Sequence, residues 1–359
     1  MKAHVYDVIG VMSGTSLDGI DLAWCRFEKT DRWHFTILHA ETSPYSQKWK
    51  TSLGNAIYLN QDVLKDLNED YTRYLGETIR DFIEKIKPFP QFKSINAVCS
   101  HGHTVLHQPQ KGITLQIGNL PEIASLVKNR VVCDFRVQDV LYGGQGAPLV
   151  PIGDELLFSD YDYCLNLGGF ANISTKKDGQ RIAYDICPVN IVLNPLAEKL
   201  GFAFDDKGNL ASSGKLIPEL LDRLNALVFY RQQPPKSLGL EWVLQNVFPI
   251  INNYSSSVYD VLHTVTEHIA MQLANNMSEN AKILITGGGA YNEYLLRRVG
   301  FYKTLDVCIP DSRIVEYKEA LIFGLLGVLK LEGENNCLAS VTGAKNDHSS
   351  GVIFECENP

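Results

Sequence analysis

Several short stretches of this chain carry residue types that can do chemistry. Ser13-Gly14-Thr15-Ser16-Leu17-Asp18-Gly19 offers small residues, three hydroxyls and a carboxylate, and runs on into Ile20 and Asp21. Glycine lacks a Cβ, so backbone N–H groups in such a stretch can approach phosphate oxygens closely. A structural hairpin turn of the same composition is the alternative. Gly168-Gly169-Phe170-Ala171-Asn172 and Gly287-Gly288-Gly289 repeat the theme, and together the three suit a nucleotide gripped from two similar halves. Neither G-x-x-x-x-G-K-[ST] nor G-x-G-x-x-G occurs, which disfavours a P-loop or a dinucleotide site. Asp185 follows the strand-like Arg181–Tyr184 and precedes Pro188, where a strand would end in a loop. A carboxylate there can act as general base on a hydroxyl or water; a loop Asp capping the next turn is the plainer reading. Ser100-His101-Gly102-His103 with His107 contains an H-x-H pair without a matching third and fourth ligand, so positioning a ligand suits these histidines better than holding a metal. Arg136 stands near Gly143-Gly144-Gln145-Gly146-Ala147-Pro148, where a guanidinium fork can clamp a carboxylate or phosphate. An ion pair with Asp139 is the plain alternative. Glu316 and Glu319 precede the apolar run Ala320–Leu329, a place where the helix dipole alone favours glutamate.

Such residues need elements to hold them. The run Val5–Met12 enters the first glycine tip and Ile20–Cys25 leaves it; Tyr163–Leu167 and Ile173 flank the second. Both read as β-hairpins. Lys282–Thr286, then glycines, then Asn292–Val299 reads as strand, turn and helix start. Leu67, Tyr71, Leu75, Ile79 and Ile83 fall four apart and predict an amphipathic helix within 61–87; Leu262, Val265, Ile269 and Leu273 predict another within 259–276. Strands alternating with helices make an α/β protein. At roughly 150 residues per domain, 359 residues imply two domains, and no Pro- or Ser-rich tether separates them. A formal charge of −8 argues against a sequence-independent nucleic-acid binder. Eight cysteines with no C-x-x-C pair read as free, buried thiols of a reducing compartment. The longest apolar run is about half a membrane span, and no secretory signal is legible, so a cytoplasmic protein without membrane or nucleic-acid partners is expected.

As a set, these motifs resemble the anhydro-N-acetylmuramic acid kinases of the actin-like, hexokinase-like phosphotransferase superfamily. The resemblance runs through 10–21, Ser100-His101-Gly102 with Thr104, His107 and Pro109, 114–118, Asp134-Phe135-Arg136, 143–151, 165–173, Pro234-Pro235-Lys236-Ser237, 286–292, Glu319-Ala320 and 340–344. It implies a two-domain actin-like (ribonuclease H-like) ATPase fold with a central interdomain cleft, with domains at 1–135 plus 338–359 and at 136–337. It implies ATP and Mg²⁺, and a coupled reaction: water opens the 1,6-anhydro bridge at C1, and the freed O6 takes the γ-phosphoryl group. By the same resemblance Asp185 activates the water and Glu319 stands at the substrate. Arg136, His101, Gln145 and Asn190 bind the sugar. Gly14, Thr15, Ser16, Leu17, Asp18, Gly19, Ile20, Asp21, Gly168, Gly169, Asn172, Gly287, Gly288 and Gly289 hold the nucleotide.

The chain departs from the family pattern at the substrate end. Asp185-Ile186-Cys187-Pro188-Val189-Asn190 lacks two glycines usual there, an arginine run is reduced to Arg136-Val137-Gln138, and His103 replaces a common glutamine. Cys187 and Val189 either narrow the sugar pocket or reshape its loop. A kinase for a different anhydro sugar and a non-catalytic nucleotide-binding regulator are therefore the rival expectations; a homodimer is a further one.

Overall fold

Alternating apolar runs and glycine turns fold this chain into two α/β units, seen in a computed structural model that describes residues 4–14 and 16–356. Unit 1 comprises the chain through 157 together with the segment from 317 onward; unit 2 is the contiguous stretch 158–316.

In unit 1, β1 (His4–Ser13), β2 (Gly19–Lys29) and β3 (Trp33–Pro44) form an antiparallel meander. β4 (Ala97–Gln108) runs parallel to β1, β5 (Ile113–Ile117) folds back on β4, and β6 (Val131–Cys133) lies parallel to β4. In unit 2, β7 (Tyr163–Leu167), β8 (Phe170–Lys177) and β9 (Gln180–Pro188) repeat the meander. β10 (Lys282–Thr286) and β11 (Asp306–Cys308) follow in parallel. The orders β3-β2-β1-β4-β6 and β9-β8-β7-β10-β11 are the same, the duplicated ribonuclease H-like arrangement that an actin-like chain requires. β12 (Val352–Phe354) then closes the first sheet against β6.

The predicted helices form as 61–86 and 258–275. The first buries Tyr71, Leu75, Ile79, Phe82 and Ile86 against Ile9, Val11 and Val98 of the sheet, each such side chain contributing about 1.5–3 kcal/mol. The second packs Leu262, Val265, Ile269 and Leu273 into the core of unit 2. On the other face of the first sheet lies helix Ser312–Glu332, whose helical geometry breaks at Tyr317 (φ −112°, ψ 16°). Its approach is very close: a Cβ at Gly10 would collide with the Ala320 carbonyl, and one at Gly327 with the Cys99 sulfur.

That packing explains why the units divide at 157/158 and 316/317 and not at the expected 135/136 and 337/338. Gly153 meets Ile322, and Gly146 and Thr342 both bond to Asp139, so 136–157 and 317–337 belong with the first sheet. A second correction concerns Asp185, which does not sit at a strand end. β9 continues to Pro188, and a bulge that leaves Ile186 without an opposite residue separates the pairs Asn172–Asp185 and Ala171–Cys187. None of the eight cysteines is in a disulfide, and six are buried. No helix among the described residues is long and apolar enough to cross a membrane.

Candidate active site

The two glycine hairpins form as expected, and their glycines sort into two kinds. A Cβ at Gly19 would strike the Ser43 carbonyl, one at Gly287 (φ +80°) would lie 2.7 Å from Asn166 Oδ1, and one at Gly289 would lie 2.7 Å from Leu167 Cβ. The fold itself demands these three. Gly14, Gly168, Gly169 and Gly288 have neither a left-handed φ nor a crowded neighbour: their nearest contacts are Ser16 Oγ at 3.4 Å, Asn166 Nδ2 at 3.4 Å, Ile191 Cβ at 3.8 Å, and nothing within 4 Å. Bare backbone facing open space is what close approach of phosphate oxygens calls for, so the residues present fit a nucleotide.

The base of the first tip is rigid. Ser13 Oγ lies 2.6 Å from the Tyr45 hydroxyl and 2.8 Å from His103 Nδ1, and Tyr45 bonds on to Tyr71. Burial lowers the His103 pKa to about 4 and raises that of Tyr45 to about 12, so the relay is neutral. Leu17 adopts φ 60° and donates its N–H to the Gly14 carbonyl. Ser16 and Asp18 are exposed, Ile20 is fully buried core, and Asp21 accepts from Thr42 Oγ1 at 2.6 Å. Thr15 lies outside the described residues.

Beside that tip, His101 and Arg136 meet. Arg136 Nε donates to His101 Nε2 at 2.8 Å, and Arg136 Nη1 donates to the Gly146 carbonyl at 2.7 Å. His101 Nδ1 faces the Gly102 carbonyl at 2.9 Å and must carry the ring proton. Burial and the adjacent guanidinium hold His101 well below its usual pKa. The ion pair of Arg136 with Asp139 does not form: Asp139 accepts instead from the Gly146 N–H (2.6 Å) and Thr342 Oγ1 (2.7 Å). Asp134, at φ +57°, accepts from Asn119 Nδ2 at 3.1 Å, a turn that directs Phe135 into the core. His101 packs on Phe323 (ring centroids 4.7 Å apart), one helical turn beyond Glu319. The Glu319 carboxyl is solvent-accessible; surrounding protein raises its pKa, and Arg136 opposes that rise. Gln145 is exposed and donates its N–H to the Thr342 carbonyl at 2.8 Å. The three histidines do not converge: His103 turns to Ser13 and His107 to Thr114.

In unit 2, β7 and β10 are parallel neighbours (Asn166 beside Thr286), so the Gly168-Gly169 tip and the Gly287–Gly289 turn lie at one end of the sheet, beyond the strands' carboxyl ends. The Val189 and Asn190 N–H groups cap the tip, donating to the Gly169 and Gly168 carbonyls at 2.8 and 3.3 Å. Exposed Asn172 stands opposite Asp185. Asp185 Oδ2 accepts the Leu238 N–H at 2.8 Å, and the Asp185 N–H donates to the Lys236 carbonyl at 3.0 Å. Burial raises the Asp185 pKa, and the Leu238 hydrogen bond limits the rise. A carboxylate poised upward, with one oxygen tethered, is suited to accept a proton. The segment 234–238 is thus the holder of Asp185. Cys187 and Val189 are fully buried within the core of unit 2, so their bulk faces inward.

Sequence reading missed Asn119, Tyr45, Tyr71 and the Leu238 N–H. Asn119 and Leu238 were marked only by their places beside the Thr114–Gly118 and Pro234–Ser237 motifs, and Tyr71 only as an apolar helix position; Tyr45 carries no local signal.

A family model described as "Anhydro-N-acetylmuramic acid kinase" matches residues 6–356. Proteins of that name from Mannheimia succiniciproducens and Nitrosospira multiformis are 33% and 32% identical to this chain, covering 96% and 99% of it and 98% and 100% of their own lengths. Among solved structures, an activator of a 2-hydroxyisocaproyl-CoA dehydratase from Clostridium difficile aligns with 89% of this chain and 93% of its own, at 11% identity and a TM-score of 0.42.

Proposed function

The chain belongs to the anhydro-N-acetylmuramic acid kinase family, and on that premise we propose how its residues convert 1,6-anhydro-N-acetylmuramic acid to N-acetylmuramic acid 6-phosphate in peptidoglycan recycling. Asp185 takes a proton from water, whose oxygen bonds to C1 as the C1–O6 bond breaks; O6 leaves with the electron pair and receives the phosphoryl group. When bound, ATP supplies that group and Mg²⁺ neutralises charge on its oxygens. The bare backbones of Gly14, Gly168, Gly169 and Gly288 are the phosphate contacts. Asp18 and Asp21 offer the oxygen ligands Mg²⁺ prefers.

Arg136 receives the lactyl carboxylate. Its Nε and Nη1 are fixed by His101 and Gly146, while Nη2 has no hydrogen bond among the described residues. Neutral His101 keeps the guanidinium as the local positive charge. Glu319 and Gln145 complete the polar lining on unit 1, and Asn190 and Asn172 flank Asp185 on unit 2. The inward packing of Cys187 and Val189 supports retention of the family's sugar over a different one.

The observation that carries the reading is Asp185: half-buried, raised in pKa, and tethered through one oxygen only. Asp185→Asn keeps an acceptor for the Leu238 N–H and removes the base. Turnover of the anhydro sugar, scored as ADP and 6-phosphate product, should fall about 10²- to 10⁴-fold, with ATP affinity unchanged. Turnover within threefold of wild type would remove Asp185 from the reaction.

A further inference from the structure

Three buried side chains of unit 1 that the reaction does not use meet behind Arg136, on the far side of the Gly146 turn. Asp139, Cys337 and His348 are each more than nine-tenths buried, and one ligand atom of each lies within 4.8 Å of the other two. Backbone geometry gathers them. Cys337 and His348 form an isolated antiparallel bridge, each donating its N–H to the other's carbonyl (3.1 and 3.2 Å), which sets their side chains on one face as a cross-strand pair. Asp139 comes from the short helix Val137–Leu141 and is clasped by Thr342 Oγ1 and the Gly146 N–H.

The state of His348 points to something between them. Its Nδ1 faces the Asn346 carbonyl at 3.1 Å and carries a proton there, so in the neutral ring a metal would meet the lone pair of Nε2. Nε2 is buried with no hydrogen-bond partner. It faces Asp139 Oδ1 at 3.6 Å, beyond hydrogen-bond range. The Tyr142 ring closes the imidazole off edge-on, with centroids 4.9 Å apart.

We propose that Asp139 Oδ1, Cys337 Sγ and His348 Nε2 bind one divalent ion of the zinc class. Thiolate, imidazole and carboxylate are a zinc donor set, whereas Mg²⁺ and Ca²⁺ take oxygen ligands, so this ion is distinct from the nucleotide's metal. With bonds of about 2.0–2.3 Å, a tetrahedral ion spaces its ligand atoms by roughly 3.3–3.8 Å. For a nitrogen and an oxygen ligand that spacing is about 3.3–3.5 Å; the gap from Nε2 to Oδ1 is 3.6 Å, and small side-chain rotations close it together with the other separations. Binding exchanges the thiol proton for the metal and releases it to solvent; the fourth position takes water. The ion ties the C-terminal segment to the helix whose Asp139 holds Gly146, and so supports the carbonyl on which Arg136 rests.

The test uses the full chain, reduced, stripped with a chelator and desalted, then titrated with Zn²⁺ and separately with Co²⁺. One equivalent of zinc per chain is expected, with a thiolate-to-cobalt charge-transfer band and intense tetrahedral d–d bands. Zinc should raise the unfolding midpoint of the wild type. Cys337→Ser should abolish the charge-transfer band, and His348→Gln should weaken zinc by more than the roughly 10–100-fold that loss of an outer-shell partner costs. Cys356→Ser should change none of these. Substoichiometric zinc, or a charge-transfer band that survives Cys337→Ser, overturns the proposal. So does a wild-type cobalt spectrum without sulfur ligation, which decides the matter even if a variant fails to fold. Kinase activity enters none of these readouts, so failure here leaves the proposed function standing.

Discussion

Replacing Arg136 with alanine separates recognition of the sugar acid from general damage to the site. The guanidinium is pinned through Nε to His101 and through Nη1 to the Gly146 carbonyl, both neutral acceptors, so a substrate carboxylate would be its first directly bonded anion. Removing one partner of a desolvated charge pair costs about 2–5 kcal/mol, which is about 30- to several-thousand-fold in kcat/KM. The same substitution strips the donor from buried His101 Nε2, a stability loss of about 1–3 kcal/mol, and that loss falls on every substrate alike. The assay therefore compares anhydro-N-acetylmuramic acid with the anhydro sugar lacking the lactyl group, at a temperature well below the variant's unfolding midpoint. The full loss is expected for the first and no more than about a tenth of that factor for the second. Arg136→Lys should rescue little, because an ammonium cannot make both holding contacts and still present a fork. Equal losses on both sugars would refute carboxylate recognition by Arg136 and leave only the kinase assignment.

Two further outcomes can be checked directly. Gly288→Ala should leave the fold intact, since nothing lies within 4 Å of the new Cβ, yet weaken ATP in calorimetry, whereas Gly10→Ala should destabilise unit 1 by forcing helix Ser312–Glu332 off β1. His103, with a native pKa near 4 against about 6.5 unfolded, binds its proton first in the unfolded chain; its own contribution to stability should fall by about 3 kcal/mol as pH drops from 6.5 to 4, in addition to those of the likewise buried His101 and His268. Chemical denaturation across that window should show a shallower fall for His103→Gln, which keeps a partner for Ser13, and an identical slope would remove His103 as its source.

What the sequence made legible was local. Both glycine hairpins, the strand–turn–helix at 282–299 and the two long helices rest on periodicity and turn chemistry, and each formed where expected. The division of the units did not, because it is decided by how closely helix Ser312–Glu332 can approach Gly10 and, through its own Gly327, Cys99, a matter of packing between distant segments. Asp185 looked like a strand end because it follows strand-like Arg181–Tyr184 and precedes Pro188, but β9 continues through a bulge at Ile186 to Pro188. Asp139 beside Arg136 looked like its ion partner, yet tertiary contacts gave the carboxylate to Gly146 and Thr342 instead. The Ser13–Tyr45–Tyr71–His103 relay joins residues up to 90 positions apart and has no one-dimensional signature.

The way unit 1 is stitched from two ends of the chain has a consequence for biosynthesis. Unit 2 is continuous from 158 to 316, so all of its strands are synthesised before any of the segment from 317 onward. Unit 1 at that moment lacks the helix that covers Gly10 and the strand β12 that covers β6, leaving one face of its sheet and one β-edge bare. N-terminal-first vectorial folding is therefore incomplete for unit 1, whose sheet is covered only once the segment from 317 onward is made, after the whole of unit 2.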